Sequence, residues 1–406
     1  MKILYITQYY PPDIGAPSFR AKQFVKTVIS SGHDITVYTS YPNRYKNIKE
    51  KLNIKNYNKV DKEKLVRTRS IKIADNILGK GISFVTFFVK TFFKMLFDSQ
   101  KYDLIYVSSP PLPVANLGVI ISKIKRVPLI VEIRDLWPET LVAIEKISKE
   151  NFLYKIFEKM ESNVYKNSSA IVTVSKGYLE HINKYFKGPI FYVPNGISET
   201  DLKKTHIERK DILKRFDLQH KIKEDDFIVS YIGNIGYCQN LSFVVETAKK
   251  LKNNIKICLF GDGSEVEKIK KLSKNINNLI IEGPFRKEDI GYIYHLSDVL
   301  IVHLKKNPYF KKVIPSKIFE YLLYQKPIIY GLEGEAEKIL SEFRSTFKIE
   351  SENSDELKDK ILYIKENYQE LKQFAIEAEE KVIRKYNMEK MFEQLINKLN
   401  EIKISF

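Results

Sequence analysis

Pro315-Ser316-Lys317-Ile318-Phe319-Glu320-Tyr321-Leu322-Leu323-Tyr324-Gln325-Lys326-Pro327-Ile328-Ile329 reads as a loop, a helix and a buried strand. Pro315 stops whatever precedes it and Ser316 is a capping residue, so a helix is expected from Lys317. Ile318, Phe319, Leu322 and Leu323 recur at helical spacing, and after Pro327 the β-branched pair Ile328-Ile329 opens a strand. Lys317 and Glu320 then stand one turn apart near the positive end of a helix that faces a loop. A nucleoside diphosphate suits that arrangement. Helix amides and Lys317 would meet the phosphates, and Glu320 would accept from the paired ribose hydroxyls. The same two residues would also serve as a plain i,i+3 surface ion pair, so the rest of the chain has to decide.

Outward from this stretch, strand-like runs at 227–233, 255–260, 279–282, 299–303 and 327–330 alternate with helical patterns at 241–252, 264–275, 289–296 and 317–324. The first half has the same rhythm. Its strands are expected at 2–7, 34–39, 104–107, 129–133, 170–174 and 190–193, and its clearest helices at 18–30 and 153–166. Near-continuous apolar strands separated by helices specify parallel sheets covered on both faces, an α/β class of two doubly wound domains. A chain of 406 residues exceeds one compact core, and the rhythm restarts after Pro194-Asn195-Gly196. The expected domains are 1–195 and 196–387, with 199–226 as a charged connection and one long charged helix over about 355–398. Two such domains usually hold ligand between them, at the carboxyl ends of their strands.

The strand-to-helix loops therefore carry the candidates. The first strand runs into Gln8-Tyr9-Tyr10-Pro11-Pro12, with Gly15 for close backbone approach, Ser18 as a cap and Arg20 in the first helical turn, a candidate phosphate loop. The strand at 129–133 ends in Arg134-Asp135-Leu136-Trp137-Pro138-Glu139, three kinds of ionisable group around the only tryptophan. Charges at such a strand end must pair with one another or bind something. In the second half, Gly233-Asn234-Ile235-Gly236 and Gly261-Asp262-Gly263 place glycines at two successive strand exits. Together with Lys317 and Glu320 they mark the second domain as the nucleotide half.

Several classes are excluded or disfavoured. There is no Gly-x-x-x-x-Gly-Lys-Ser/Thr loop, no Gly-x-Gly-x-x-Gly after the first strand, no Asp-x-Asp at a strand end and no metal-ligand spacing among the six histidines. A metal and a nicotinamide cofactor are therefore not expected. His303 ends a strand near the 315–320 loop and is a candidate ligand contact. Two cysteines, Cys238 and Cys258, suit a reducing compartment. The formal net charge is +18. Residues 1–200 hold 31 Lys and Arg against 17 Asp and Glu, so +14 of it lies in the first half. Nucleic acid and an anionic membrane are the usual partners of such a half, and no nucleic-acid motif is present. The apolar stretch 82–97, broken by Lys90 and Lys94, reads with the basic segment 46–72 as an interfacial helix. Those lysines are expected to share a face with Ser83 and Asp98. No run of about 20 uncharged apolar residues exists to span a bilayer, and the amino terminus reads as a strand rather than a signal peptide.

These residues resemble the large retaining GT-B glycosyltransferase family that builds bacterial surface polysaccharides, of the family 4 type. The resemblance is carried in order by Gln8-Tyr9-Tyr10-Pro11-Pro12 with Gly15, Arg134-Asp135-Leu136-Trp137-Pro138-Glu139, Val193-Pro194-Asn195-Gly196, Gly233-Asn234-x-Gly236, Gly261-Asp262-Gly263 and Pro315-Ser316-Lys317…Glu320-Tyr321. It implies two Rossmann-like domains facing across a cleft, with the chain returning to the first over about 388–406. It also implies a donor site in the second domain, an acceptor site in the first, and no metal or cofactor. The implied reaction moves a sugar, with retention, from a nucleoside-diphosphate sugar expected to be UDP-linked, for example an N-acetylamino sugar. The acceptor would be a polyprenyl-diphosphate-linked or other membrane-linked saccharide in O-antigen or capsule synthesis, at the inner face of the cell membrane.

On that reading Asp135, Glu139 and Lys317 are the catalytic candidates. Gly15, Gly233, Asn234, Gly236, Gly261, Asp262, Gly263, Arg286, Pro315, Ser316, Lys317 and Glu320 hold the donor, and Arg20, Arg134 and Trp137 line the acceptor or phosphate loop. Two positions depart from the family pattern: Lys312 stands where a carboxylate is usual eight residues before Glu320, and Asn234 and Gln239 stand where an Arg/Lys pair is usual. Lys312 implies that the donor sugar's hydroxyls are read differently from the family pattern, because an ammonium accepts no hydrogen bond. Two other readings fit the same plan: a nucleotide-sugar 2-epimerase, and a non-catalytic membrane-bound partner of a polysaccharide assembly complex.

Overall fold

The computed structural model describes residues 1–13, 15–41, 63–71, 77–198 and 207–404. Most of the basic segment 46–72 lies outside the described residues, so its expected role is left with the sequence. The chain forms two compact units: Met1–Asn195 with the chain from Met388 onward, and Gly196–Asn387.

The first unit is built on a parallel sheet of β1 (Lys2–Ile6), β2 (Asp34–Ser40), β3 (Lys64–Thr68), β4 (Leu104–Ser109), β5 (Leu129–Ile133), β6 (Ala170–Thr173) and β7 (Ile190–Tyr192), in the order β3-β2-β1-β4-β5-β6-β7. Every residue of β4 and β5 is buried, as the apolar runs predict for strands covered on both faces. The second unit repeats the plan with β8 (Phe227–Asn234), β9 (Ile255–Asp262), β10 (Leu279–Glu282), β11 (Val299–His303), β12 (Ile328–Gly331) and β13 (Thr346–Lys348), ordered β10-β9-β8-β11-β12-β13. The strand order reverses between β1 and β4 in one sheet and between β8 and β11 in the other. Crevices at such reversals, outside the carboxyl ends of the strands, are where doubly wound sheets take ligands.

Three expectations need correction. Strands β3 and β13 are absent from the sequence reading. Both are short edge strands, and β3 carries charge at Lys64 and Arg67, which hides the alternation. The single long helix over 355–398 is three helices, Ser354–Glu366, Tyr368–Lys385 and Met388–Ile404. Neither break has a glycine or proline. Asn367 leaves helical geometry at φ −107°, and the chain turns at Tyr386-Asn387, where Asn387 bridges to Ile197. The last helix packs on Ala16–Ser30, with Phe392 fully buried and edge-on to Phe24 at 5.3 Å, an aromatic burial whose removal costs about 3–5 kcal/mol. Finally, part of the expected connection is structural. Arg209–Arg215 is a helix in the second unit, and Arg209 fixes it there by donating to Asp298 at 2.6 Å.

Candidate functional site

In the second unit, β8, β9 and β10 end side by side on Gly233, Gly261 and Gly283. Gly233 pairs with Gly261 and Asn234 with Asp262, so the two glycine turns run together. Gly261 has φ +159°, and a Cβ there would fall 1.8 Å from the Gly233 carbonyl oxygen. Gly233, at φ +130°, faces Lys317, whose Nζ would be 2.9 Å from an added Cβ. Gly236 and Gly263 continue the same turns, where a Cβ would strike Asn234 Nδ2 at 2.5 Å and the Ile235 carbonyl at 2.2 Å. The strand ends therefore present bare backbone at the sheet's reversal point, a surface that a phosphate can approach closely.

Lys317 opens the helix Lys317–Leu323, and Ile318, Phe319, Tyr321, Leu322 and Leu323 are its buried face. Tyr321 Oη both donates to the Ile232 carbonyl and accepts from the Ile232 amide, each at 3.1 Å, which locks the helix to β8. Lys317 Nζ donates to Tyr231 Oη at 2.5 Å and lies 3.9 Å from the centroid of that ring. Tyr231 Oη in turn donates to the Asn234 carbonyl at 2.7 Å. Burial pushes the Lys317 amine down to about 7, against the opposing pull of Glu320. Glu320 accepts a hydrogen bond from Tyr294 at 2.7 Å. Asn234 is exposed and bonds Gln239 at 2.9 Å. Asp262 accepts from the Gly263 amide at 2.8 Å, and Arg286 is exposed at the start of Lys287–Leu296. Ser316 does not cap: its backbone is already helical and its side chain makes no capping bond, and the first amides are met by backbone instead, Ile318's by the Pro315 carbonyl at 3.2 Å and Phe319's by that of Ser316 at 3.3 Å.

Glu320→Ala is expected to weaken UDP by roughly 1.5–3 kcal/mol, the contribution of hydrogen bonds to a charged acceptor. The parent should distinguish UDP from its 2′-deoxy analogue, and the variant should not. Equal affinity of parent and variant for UDP would remove Glu320 from the ribose.

His303 is not available as a ligand contact. Its Nδ1 donates to the Gln239 carbonyl at 2.6 Å and its Nε2 accepts from the Glu352 amide at 3.0 Å, which requires the neutral ring. Burial pushes its pKa down to about 4 from 6.5. The unfolded chain therefore binds a proton that the folded one refuses. Stability is complete above pH 6.5 and falls as pH drops toward 4, by up to roughly 3 kcal/mol. Urea midpoints across this range should fall more steeply for the parent than for His303→Gln.

In the first unit, Arg134-Asp135-Leu136-Trp137-Pro138-Glu139 follows β5. Glu132, fully inside β5, collects Arg20 Nε at 2.9 Å, Tyr106 Oη at 3.0 Å and Ser108 Oγ at 3.1 Å. The rest of the Arg20 guanidinium donates to the Val193 and Pro194 carbonyls at 2.8 and 2.9 Å, and Phe392 lies under it at 4.9 Å. Arg20 is thus interior, holding a buried carboxylate and the end of the domain, and is not presented to a phosphate. Ser18 is likewise inside the helix that starts at Ala16 behind Gly15 (φ +130°), and does not cap it. Arg134 donates to the Pro110 carbonyl at 2.9 Å. Burial pushes Asp135 up to about 6, with Tyr178 Oη 3.4 Å away. Glu139 accepts from Tyr154 at 3.0 Å. Trp137 is edge-on to Phe84 at 6.5 Å and to Phe157 at 5.9 Å.

The expected interfacial helix spans Ile77–Leu96. Ser83, Phe87, Thr91 and Met95 form its buried stripe, while Val85, Phe93 and Phe97 are 58%, 52% and 80% exposed. The lysines do not share Ser83's buried face. Both are exposed and bend back, Lys90 donating to the Arg69 carbonyl at 3.2 Å and Lys94 to that of Arg67 at 2.7 Å. Among the described residues, no helix is long and apolar enough to cross a membrane, and no three His, Cys, Asp or Glu side chains cluster as metal ligands.

Comparison with known proteins identifies the two units. Residues 20–201 match the family "Glycosyltransferase Family 4" and residues 214–381 match "Glycosyl transferases group 1". Both halves of this chain are glycosyltransferase domains. The whole has the GT-B fold: an Anabaena HepE structure in complex with UDP superposes with a TM-score of 0.73 at 17% identity, over 99% of this chain and 100% of that one. WaaG, described as a glycosyltransferase involved in lipopolysaccharide biosynthesis, gives 0.67 at 14% over 97% and 98%. Among sequence relatives, an uncharacterized glycosyltransferase of Methanocaldococcus jannaschii is 23% identical over 98% of this chain and 99% of its own length. A poly(ribitol-phosphate) α-N-acetylglucosaminyltransferase of Staphylococcus aureus is 22% identical over 60% of this chain, a match that spans 53%, about half, of that relative.

Proposed function

We propose that this glycosyltransferase moves a sugar from a nucleoside-diphosphate sugar, UDP-linked, onto a lipid-linked saccharide during synthesis of a cell-surface polysaccharide, with retention at the anomeric carbon. The observation that carries the reading is the second unit's strand-end site: bare glycine backbone at the β8–β11 reversal, Lys317 held over Gly233, and Glu320 one turn further along the same helix. An ammonium suits a departing diphosphate, and a carboxylate suits ribose hydroxyls. The uridine base is favoured by the UDP complex of the structural neighbour, and an N-acetylamino sugar by the name of the S. aureus relative. In this reading the lysine, not a divalent cation, meets the leaving charge. Asp135 orients the acceptor hydroxyl from the first unit, and the departing diphosphate takes up its proton on the retained face.

Lipid linkage of the acceptor is supported by the first unit's surface. Helices Ile77–Leu96, Leu112–Lys125 and Phe152–Lys166 pack side by side, and their outer residues include Val85, Phe93, Phe97, Ile124 and Phe152, the last 74% exposed. Lys90, Lys94, Lys123, Lys155 and Lys159 stand among them. Apolar side chains rimmed by cations fit the cytoplasmic, anionic face of a cell membrane. Phe93→Ser with Phe97→Ser should release the protein from anionic vesicles, whereas high salt should release it only in part, because inserted aromatics are not screened. A parent protein that stays in the supernatant at low salt would refute the membrane face.

The donor reading is tested by thermal shift with UDP, GDP and their glucose and N-acetylglucosamine conjugates. A rise with UDP and its sugars but not with GDP is expected, unaffected by chelator. No response to any nucleotide would overturn it.

A further inference from the structure

We propose that Tyr294 is the positioning residue that makes the ribose site selective: by fixing the Glu320 carboxylate, it lets the protein reject nucleoside diphosphates that lack the 2′-hydroxyl. The proposal rests on the donor reading above, in which Glu320 meets the ribose, and adds a residue from a different helix. Tyr294 lies near the end of the helix Lys287–Leu296 and is 4% exposed, and its hydroxyl donates to Glu320 Oε2 at 2.7 Å. Burial, and after it the charge of Glu320, push that hydroxyl's pKa well above its usual value, so it stays a donor.

The clamp closes on the Glu320 helix itself. The Tyr294 ring lies 4.4 Å from that of Tyr324, inclined at 33°, and edge-on to Tyr321 at 5.6 Å. Both rings follow Glu320 within the next four residues. Gly291, three residues before Tyr294, lets the two helices approach: a Cβ there would fall 3.1 Å from the Tyr324 hydroxyl. Both helices are also tied to β8. Tyr321 is bonded to the Ile232 backbone, and Ser297, which ends the Tyr294 helix, hydrogen-bonds Ser230 Oγ at 2.6 Å, with both serines fully buried. Since β8 leads on to Gly233, the phenol, the carboxylate and the glycine turn share one frame.

Rigidity is what turns a contact into selectivity. An unheld carboxylate rotates readily about its last torsion and would find water when a 2′-deoxyribose arrives. A held one stays aimed at the missing hydroxyl and keeps an unpaired acceptor, which is how a site built for a hydroxyl rejects the analogue without it. Tyr294 thus sets discrimination through Glu320, with no contact of its own to the nucleotide.

The test is calorimetry on the full chain with UDP and 2′-deoxy-UDP, for the parent, Tyr294→Phe and Glu320→Ala. The parent should prefer UDP by about tenfold or more, the worth of a hydrogen bond to a charged group. Tyr294→Phe keeps the ring and its stacking and loses only the hydroxyl. It should weaken UDP by about threefold or more while 2′-deoxy-UDP stays within about twofold of the parent, so the preference shrinks. Glu320→Ala should abolish the preference. A Tyr294→Phe protein that keeps the parent's preference would overturn the proposal, and so would one that loses affinity for both nucleotides by the same factor, the mark of a structural role. A parent that does not tell the two nucleotides apart, or a Glu320→Ala protein that still does, would overturn the ribose reading, and this assignment with it.

Discussion

Lys317→Ala should lower turnover by about 10²–10³-fold, the size of effect seen when one preorganised donor to a developing anion is removed. Charge on the diphosphate grows as the glycosidic bond breaks, so the loss should fall on kcat more than on donor affinity. The site adds a pH signature. Burial holds the free amine at about 7, and a bound diphosphate favours its protonated form. Above pH 7 the free protein has lost the proton that the complex needs, so UDP affinity should fall about tenfold per pH unit there. Below pH 7 it should level off. In Lys317→Ala the slope should vanish. The loss of activity would not come from unfolding, since a site that depresses an amine's pKa disfavours its charge. The variant's melting temperature should therefore equal or exceed the parent's at neutral pH. Turnover within twofold of the parent, or an unchanged pH slope, would rule out the electrostatic role.

How much of this site can be read from sequence depends on which contacts are local. Gly233, Gly261 and Pro315 are punctuation, visible because backbone turns demand particular residues at particular places. Lys317 and Glu320 are visible because helical spacing alone puts them one turn apart. Tyr231 and Tyr294 are not. Tyr231 and Lys317 are 86 residues apart, and within a strand a tyrosine reads as core. Arg20 misleads for the same reason: its carboxylate partner Glu132 is 112 residues away, and without it a basic residue in a first helical turn looks like a phosphate ligand. In the fold, interior parallel strands announce themselves as apolar runs. The edge strands β3 and β13 and the helix break at Asn387 are set by tertiary pairing, which local pattern does not carry.

Asp135→Asn should reduce transfer to the acceptor by about 10²-fold or more, the cost of misplacing a hydroxyl that the carboxylate orients, while leaving UDP affinity unchanged. Of the two carboxylates after β5, Glu139 is held by Tyr154 and lies within 4.0 Å of Lys149, a setting that favours a structural anion. Asp135 differs: burial raises its pKa to about 6 in spite of Arg134. A carboxylate with that pKa is ionised at neutral pH and accepts the hydrogen bond of an orienting contact more strongly than an ordinary aspartate does. The sign follows directly. Ionised Asp135 is the active form, so kcat/KM for acceptor should rise with pH through about 6 and fall about tenfold per unit below it. The asparagine variant should lose that limb along with its activity, and Glu139→Gln should keep it. Hydrolysis of the donor by water does not use the acceptor hydroxyl and should persist in Asp135→Asn. A variant that transfers as well as the parent, or one in which donor binding fails too, would remove Asp135 from the acceptor side of the reaction.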